Sequence, residues 1–521
     1  MPDSPPPSEQ PNEQLGARAR RGMAWSLFNS GTARLLNVAA GMVIARVVTP
    51  DEFGSYTAAL LVMTIVLSMN EAGLSVAVIR WQRAVERIAP TAISCSFASS
   101  AVWFALMFLG APLIASLLNA PEATGPIRVL SFGILLDGIS TIPNALLMRA
   151  FQQRRRAIAQ LVGFLVGSPI GILLAVNHGA LGLATGLTIS NGVATAIILW
   201  LAPERPRPGW DRKTALELLR VGLPPALTSV LLLAIVNVDS VVVSRVLGVG
   251  ALGFYALAFN VANWPWNLLS ISIRQVSLPA FSRLAGDGPE LERAFARSLT
   301  LAGGVAVLGG VLIAAFATPL VGVLYGERWL PAVVALQWLA LLGALRVVLE
   351  LCYDLLIAVG RAGALVRVQL AWLAALAVGL PIAARLGGIE GVAIGQGAIA
   401  AALVLPLNAR LLARSGIHLG SFARALRPVV AAAAAGVAVA AAALAVGASW
   451  WPTLVAGGLL VTAAYAAAFL AAGRGREALR WARGPGDPGL TQRNTSSSPN
   501  ASSPSRRKPK RATEELSQAS T

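Results

Sequence analysis

Cysteine, histidine and charge are all scarce in this sequence, and each scarcity excludes something. Its 521 residues include two cysteines, Cys95 and Cys352, and two histidines, His178 and His418. Both cysteines fall inside apolar stretches, which excludes a disulfide framework and a cysteine-based metal site. The histidines fall in loops far apart in sequence, without the spacing of a metal-ligand pair. Charged residues make up 13% of the chain, against roughly 25% in a soluble globular domain. That leaves too little polar surface to hold a chain of this length in water. Neither a Walker A motif nor an HExxH or GxSxG constellation occurs, so the chain carries no recognisable catalytic signature. ATP-driven transport would need a separate subunit.

What the sequence does contain is apolar residues, 56% of the total. They come in repeated stretches of about 18 or more, each able to cross a hydrocarbon core roughly 30 Å thick as a helix. Closed β-barrels, the other spanning solution, read as short alternating segments. Segments such as AVAVAAAALAVG do not alternate. The expectation is an all-α integral membrane protein with about fourteen transmembrane helices. Residues 1–22 form an amino-terminal segment, 23–201 carry six spans, 202–219 a linker, 220–412 six more, and 428–472 the last two. The Ser/Pro/Lys/Arg-rich tail 485–521 is expected to be disordered. Residues 1–17 are polar and proline-rich and precede a first span too long for a signal h-region, so no cleavable signal peptide is expected.

The bases outnumber the acids, 42 to 24. Nucleic acid is not the expected partner, because the bases sit in short loops between spans. One side of the bundle holds only Arg46, Arg128, Arg245, Arg328 and Arg385. Arg34 and Arg346 fall within spans, and the remaining bases share the side of both termini. Positive-inside topology therefore places both termini in the cytoplasm, which requires an even number of spans. Basic loops such as Arg154-Arg155-Arg156 are explained by topology and by anionic membrane lipids.

The sequence also repeats itself. ARVVTPDEFGSYTAA, at the first span's end, matches SRVLGVGALGFYALA, at the seventh span's end. Arg46, Gly54 and Tyr56 thereby correspond to Arg245, Gly253 and Tyr255. GALGLATG (179–186) likewise matches GIEGVAIG (388–395). Two matches at equivalent places in six-span units predict two six-helix lobes around a central cavity, related by an axis along the membrane normal.

Several stretches resemble the polysaccharide transporter (oligosaccharide flippase) family of the multidrug/oligosaccharidyl-lipid/polysaccharide exporter superfamily. They are GMAWSLFNSGTARLLNVAAGMVIARVVTPDEFGSYTAA at 22–59, Gly73-Leu74, GFYALAFNVANWPWNLLSISIRQVSLPAFSRLAGD at 253–287, and GERW followed by a span closing on AVGR at 326–361. With span count and loop lengths the resemblance covers roughly residues 20–475. It implies a two-lobed alternating-access fold in the bacterial cytoplasmic membrane and a polyprenyl-pyrophosphate-linked oligosaccharide as substrate. A glycan polymerase and export machinery are the partners it suggests, and a cation-coupled multidrug antiporter is the rival within the superfamily. From another class, a membrane glycan polymerase or ligase would need a large outer loop, and the longest here, about 111–125, is too short for a catalytic domain.

Ionisable groups inside a bilayer are costly and normally face a cavity or a partner. Arg34, with Asn29 and Asn37 a turn to either side, forms a polar stripe suited to a lipid pyrophosphate, since a guanidinium offers a planar, bidentate fork. The alternative is a structural pair with an acid on another helix, Asp239 being the candidate. Asp239 and Asp354 are candidate sites for a coupling proton or sodium ion, and no other cofactor is implied. Asp354 lies near a span end, where solvation would explain it equally well. Arg346 and Glu350, one turn apart, read as a self-neutralising pair. Asp137 and Glu71 are weaker cases. Asn260, Asn263 and Asn267, around Trp264-Pro265-Trp266, would suit sugar hydroxyls, or bond to neighbouring helices in a proline-kinked span.

Overall fold

The computed structural model describes residues 36–80, 85–150, 152–202, 208–446 and 449–472. The chain divides into two compact units, Met1–Ala478 and Leu479–Thr521. The second, with most of the tail expected to be disordered, lies outside the described residues, as does Arg34.

The first unit is helical throughout its described length. After α1 (Leu36–Val47) come α2 (Pro50–Arg80), α3 (Val85–Leu117), α4 (Thr124–Arg149), α5 (Gln153–Leu201) and α6 (Arg212–Leu247). The chain continues through α7 (Val249–Ala262), α8 (Trp264–Leu284), α9 (Gly288–Ala315), α10 (Ala317–Leu324), α11 (Val333–Ala358) and α12 (Ala362–Ile399). α13 (Leu405–Ala413), α14 (Leu419–Ala445) and a last helical run, Trp450–Ala471, complete it. Nine helical stretches among the described residues are long and apolar enough to cross a membrane. Two of these are far longer than one crossing needs.

α5 contains 49 residues, about 70 Å if straight at 1.5 Å per residue. It does not run straight. Gly179, at φ 49° and ψ −125°, interrupts it, and beyond that point the helix returns along itself. A Cβ on Gly163 would meet Ser190, one on Gly171 would meet Gly186, and one on Gly182 would meet Leu174 and Ala175. Partners that fall in number as the first helix rises define an antiparallel hairpin. α12 does the same at Gly388, φ 58° and ψ −144°: Gly379 approaches Ile399, and Gly391 approaches Ala383. Gly179 and Gly388 open the two segments matched in the sequence, and the match marks a shared backbone need. L-residues avoid this region because of their Cβ.

Helix starts are equally legible. Thr49-Pro50-Asp51-Glu52 forms a capping box: the Thr49 N–H donates to the Glu52 carboxylate (2.8 Å) and the Glu52 N–H to Thr49 Oγ1 (3.3 Å). Proline at the first helical position gives up an N–H that has no intrahelical partner anyway. Asp211 caps α6 through the Thr214 N–H (2.9 Å) and Asp287 caps α9 through the Glu290 N–H (3.0 Å). The chain before α6 is docked on α3, where the Gly209 N–H donates to Pro90 O (3.2 Å) and the Asp211 N–H to Thr91 Oγ1 (3.2 Å).

The largest apolar core joins α2, α3 and α4 to α6, α7, α11 and α12. A smaller one lies between α8, α9, α11 and α14. α2 provides the main packing between residues before and after the 202–211 connection, lying against both α6 and α7. At the start of α2 the backbones come very close. A Cβ on Gly54 would overlap the Val249 carbonyl, and one on Gly253 would overlap the Pro50 carbonyl. Gly54 and Gly253 are the matched glycines of the first repeat, so each does for its partner helix what the other does in return.

Candidate functional site

Two polar constellations stand out, one inside the bundle and one at the end where α2 and α7 begin. The inner one is centred on Asp239 of α6, which is 0% exposed. Its carboxylate accepts hydrogen bonds from Tyr255 Oη on α7 (2.8 Å), Gln396 Nε2 on α12 (2.8 Å) and the Ser240 backbone N–H (2.7 Å). Burying a carboxylate is tolerable only when such donors replace water. The acceptor of the same Gln396 amide, Oε1, is buried without a hydrogen-bond partner.

Arg346, on α11, acts electrostatically on Asp239 without hydrogen-bonding to it. Its guanidinium donates to Asn263 Oδ1 (3.1 Å) and lies over the Phe259 ring, 5.2 Å from the centroid. Phe259 and Asn263 are one turn apart on α7, so a single helix face seats the cation. Asn263 is itself held: its Nδ2 donates to the Phe259 carbonyl (2.8 Å), which leaves Oδ1 to point at the arginine. Arg346 therefore faces Asn263 and Phe259, a seat that the expected pairing with Glu350 did not anticipate.

The three asparagines do not share one continuous face. The helix breaks at Asn263, because Pro265 at the start of α8 has no N–H to continue the ladder. Asn260 is exposed and its amide donates back to Ala256 O (2.8 Å), whereas Asn263 is 7% exposed. The side chain of Asn267 lies outside the described residues. Asn37 is on the exposed side of α1. Asp354 differs from the solvated alternative: it is 1% exposed and accepts from Ser277 Oγ on α8 (2.5 Å). Asp137 on α4 accepts from Asn70 of α2 (3.1 Å), whose amide also donates to Ser100 of α3 (2.8 Å).

The second constellation is a set of side-chain donors reaching across to backbone carbonyls. Arg46 donates to Val323 O at the end of α10 (2.9 Å), and its repeat counterpart Arg245 donates to Leu117 O at the end of α3 (2.7 Å). Each arginine thus caps a helix C-terminus on the far side of the connection, where unsatisfied carbonyls and the helix dipole favour a cation. Ser244 Oγ donates to Leu118 O (2.7 Å), Arg328 to Val48 O (3.2 Å), and Trp329 Nε1 to Ala45 O (2.8 Å). Trp329 is 0% exposed and lies edge-on to Phe53 of α2 and Phe254 of α7. Among the described residues, the hydrogen bonds that seal this end across the connection all use a backbone carbonyl as acceptor.

Sequence reasoning had no role for Tyr255, Gln396, Phe259 or Trp329. Tyr255 was visible as a repeat match and Trp329 within GERW, but a neutral glutamine in an apolar run carries no local signal.

The arrangement has relatives. The Escherichia coli K12 lipopolysaccharide biosynthesis protein WzxC is 25% identical over 337 residues, covering 62% of this chain and 67% of WzxC. The Rhizobium meliloti succinoglycan biosynthesis transport protein ExoT is 25% identical over 324 residues, covering 62% of this chain and 65% of ExoT. The chain thus spans about two thirds of the length of these relatives. Among solved structures, the lipid II flippase MurJ in an inward closed conformation superposes with a TM-score of 0.71 at 15% identity, over 86% of this chain and 98% of MurJ. An inward-facing multidrug resistance MATE family transporter, itself of the MOP superfamily, gives 0.58 at 19% identity, over 73% of this chain and 94% of the other. A family profile described as "Polysaccharide biosynthesis protein" matches residues 43–334. The chain belongs to that family. The matched segment begins within α1 and ends at the start of α11, so it includes the sealed end, Asp239, Tyr255 and Asn263, but neither Arg346 nor Gln396.

Proposed function

We propose that this protein carries a polyprenyl-pyrophosphate-linked oligosaccharide across the bacterial cytoplasmic membrane, for O-antigen, capsule or exopolysaccharide synthesis. The observation that carries the reading is the overlap of the fold with nearly the whole of a lipid-linked glycan flippase, in a chain of the polysaccharide biosynthesis family. In this reading the helices make fourteen crossings. The hairpins in α5 and α12 count twice, and α1, α6 and the α7–α8 pair each supply one crossing beyond the nine apolar stretches. The first six crossings and the next six form two lobes, with two more crossings appended, and both termini face the cytoplasm. The sealed end is then the outer gate, closed while the cavity is offered to the cytoplasm.

The substrate-contact residues are Arg34, Asn37 and Asn260, with Asn263 acting through Arg346. Asp239 and Asp354 are the coupling sites for a proton or sodium ion. At Asp239 the unpartnered Gln396 Oε1 offers a further oxygen ligand to a bound cation. Membrane lipids, a glycan polymerase and the export machinery are the partners.

Deleting the gene tests the proposal. Lipid-linked oligosaccharide should accumulate in the cytoplasmic leaflet and surface glycan should disappear, both reversed by the wild-type gene. Normal surface glycan in the deletion strain, with heightened sensitivity to cationic drugs instead, would favour the multidrug antiporter.

A further inference from the structure

We infer that the π-turn at Ala400–Val404 is a register switch, across which α13 turns by about 100° while the helix before it stays in place. The inference goes beyond the flippase reading and is independent of what is carried.

The arm that returns from Gly388 does not continue as a plain α-helix. Ala400–Val404 forms a π-turn, in which the Leu405 N–H donates to the Ala400 carbonyl, and α13 begins beyond it. Such a turn holds one residue more than an α-turn, so α13 lags by one residue, about 100° of rotation. The repeat twin is different, because residues 180–201 of α5 run as unbroken α-helix. When the match of 388–395 to 179–186 is carried forward, Ile197 stands opposite Pro406 and Leu199 opposite Asn408.

Pro406 and Asn408 pull the register in opposite directions. Pro406 favours the wide turn, since in an α-helix its ring would clash with the Ala402 carbonyl four residues back. Asn408 favours the other register. It is 5% exposed, and its Oδ1 is buried without a hydrogen-bond partner among the described residues, so the desolvation of that oxygen goes uncompensated.

Removing the π-turn moves each residue of α13 into the place that its successor now holds. Asn408 then takes the half-buried place of Ala409, and Leu407 fills the buried one. One turn on, Leu411 takes the buried place of Leu412. The helix thus carries two pairs at i, i+4 spacing, Leu407 with Leu411 and Asn408 with Leu412, and each register buries one of them. Against the shift stand Pro406 and the transfer of Arg410 into the half-buried place of Leu411. The displaced residue passes into the turn that ends α13, closed by Gly416 at φ 82°.

The packing suits a pivot here. Ala400 and Val404 belong to the largest core and Leu412 to the smaller one, while Leu405 and Leu411 pack against both. Before the π-turn, Gln396 is tied to α6 through Asp239. After it, α13 lies against α11 and α14. The switch therefore changes the face that α13 shows to α11 without moving the arm held on α6, and a two-state element of this kind is what a conformational cycle can bias.

The test reads the register from thiol reactivity. In the purified full chain in detergent, with Cys95 and Cys352 replaced by alanine, Leu411→Cys and Leu412→Cys are labelled separately with N-ethylmaleimide. The thiol at 411 should react several-fold faster than the thiol at 412. Pro406→Ala should reverse that order. Asn408→Leu should slow the thiol at 412 several-fold further, because a leucine there suits the present register. Combining the two changes should give rates between those of the single variants.

An unreversed order in Pro406→Ala overturns the inference, since the proline then does not hold the register. An unchanged rate at 412 in Asn408→Leu also overturns it, because the π-turn is then a fixed feature that the protein never leaves. Displacement of the two thiols in opposite senses supports it, as a loss of fold would speed both. Should one variant lose the fold in that way, the other, which pushes the opposite way, decides the question.

Discussion

At the scale of single residues, the sealed end depends on side-chain donors aimed at backbone carbonyls near helix ends. Trp329 is the clearest case, because its indole N–H is the described donor to Ala45 O in a fully buried place. Trp329→Phe keeps most of the apolar packing against Phe53 and Phe254 but orphans that carbonyl. A loss of about 1–3 kcal/mol is expected, read as a lowered Tm of the purified protein in detergent. An unchanged Tm would mean that water replaces the indole. Tyr255→Phe makes the matching point at Asp239, since it removes one of three donors from a carboxylate held out of water. A similar loss, about 1–3 kcal/mol, should disappear when Asp239→Asn is added, because the charge needing that donor is gone. A double-mutant cycle with no coupling would contradict this.

At the scale of elements, two glycine roles separate cleanly. Gly179 and Gly388 turn a helix back on itself at positive φ. Gly179→Ala therefore places a Cβ where the backbone disfavours one, and that Cβ would also press on the Glu52 side chain. The expectation is a loss of roughly 1–3 kcal/mol, measured by thermal unfolding. Gly54 and Gly253 instead permit close approach of α2 and α7. Across the same junction, Arg46 and Arg245 bind helix ends whose carbonyls carry no titratable charge. This closure should accordingly be insensitive to pH across the neutral range. In a chain with Cys95 and Cys352 replaced by serine, Asn260→Cys reports access to the α7 face from outside. Arg46→Gln with Arg245→Gln should raise its labelling rate by an impermeant thiol reagent several-fold over either single change, since each removes one of two hydrogen-bonded caps. Equal rates in all four backgrounds would show that the arginines do not hold the end closed.

At the scale of the whole molecule, orientation remains a matter of charge. Both termini are expected in the cytoplasm, with His178 and Glu327 outside. Single cysteines at 178 and 327 should react with an impermeant reagent in intact cells, and one at 490 only after the membrane is opened. Labelling at 490 in intact cells would invert the topology and exchange inner for outer gate. The cross-connections reinforce why the repeat matters. Arg46 and Arg245, like Gly54 and Gly253, are repeat counterparts that reach reciprocally across the 202–211 connection.

Much of this could be read from residue order, because it depends on local rules. Apolar length dictates helices that span, Thr-Pro-Asp-Glu starts one, Gly179 and Gly388 turn one, and a proline after Asn263 breaks one. The repeat and the uneven distribution of arginine are also linear properties of the chain. The partners of the buried charges are not. Asp239 meets Tyr255, Gln396 and the field of Arg346 from three other helices, and nothing in the neighbourhood of any one residue announces the others. Arg346 and Glu350, one turn apart, satisfied the helical pairing rule, yet the guanidinium turned to a ring and an amide on α7. Periodicity says which residues share a face, and only packing decides what that face meets.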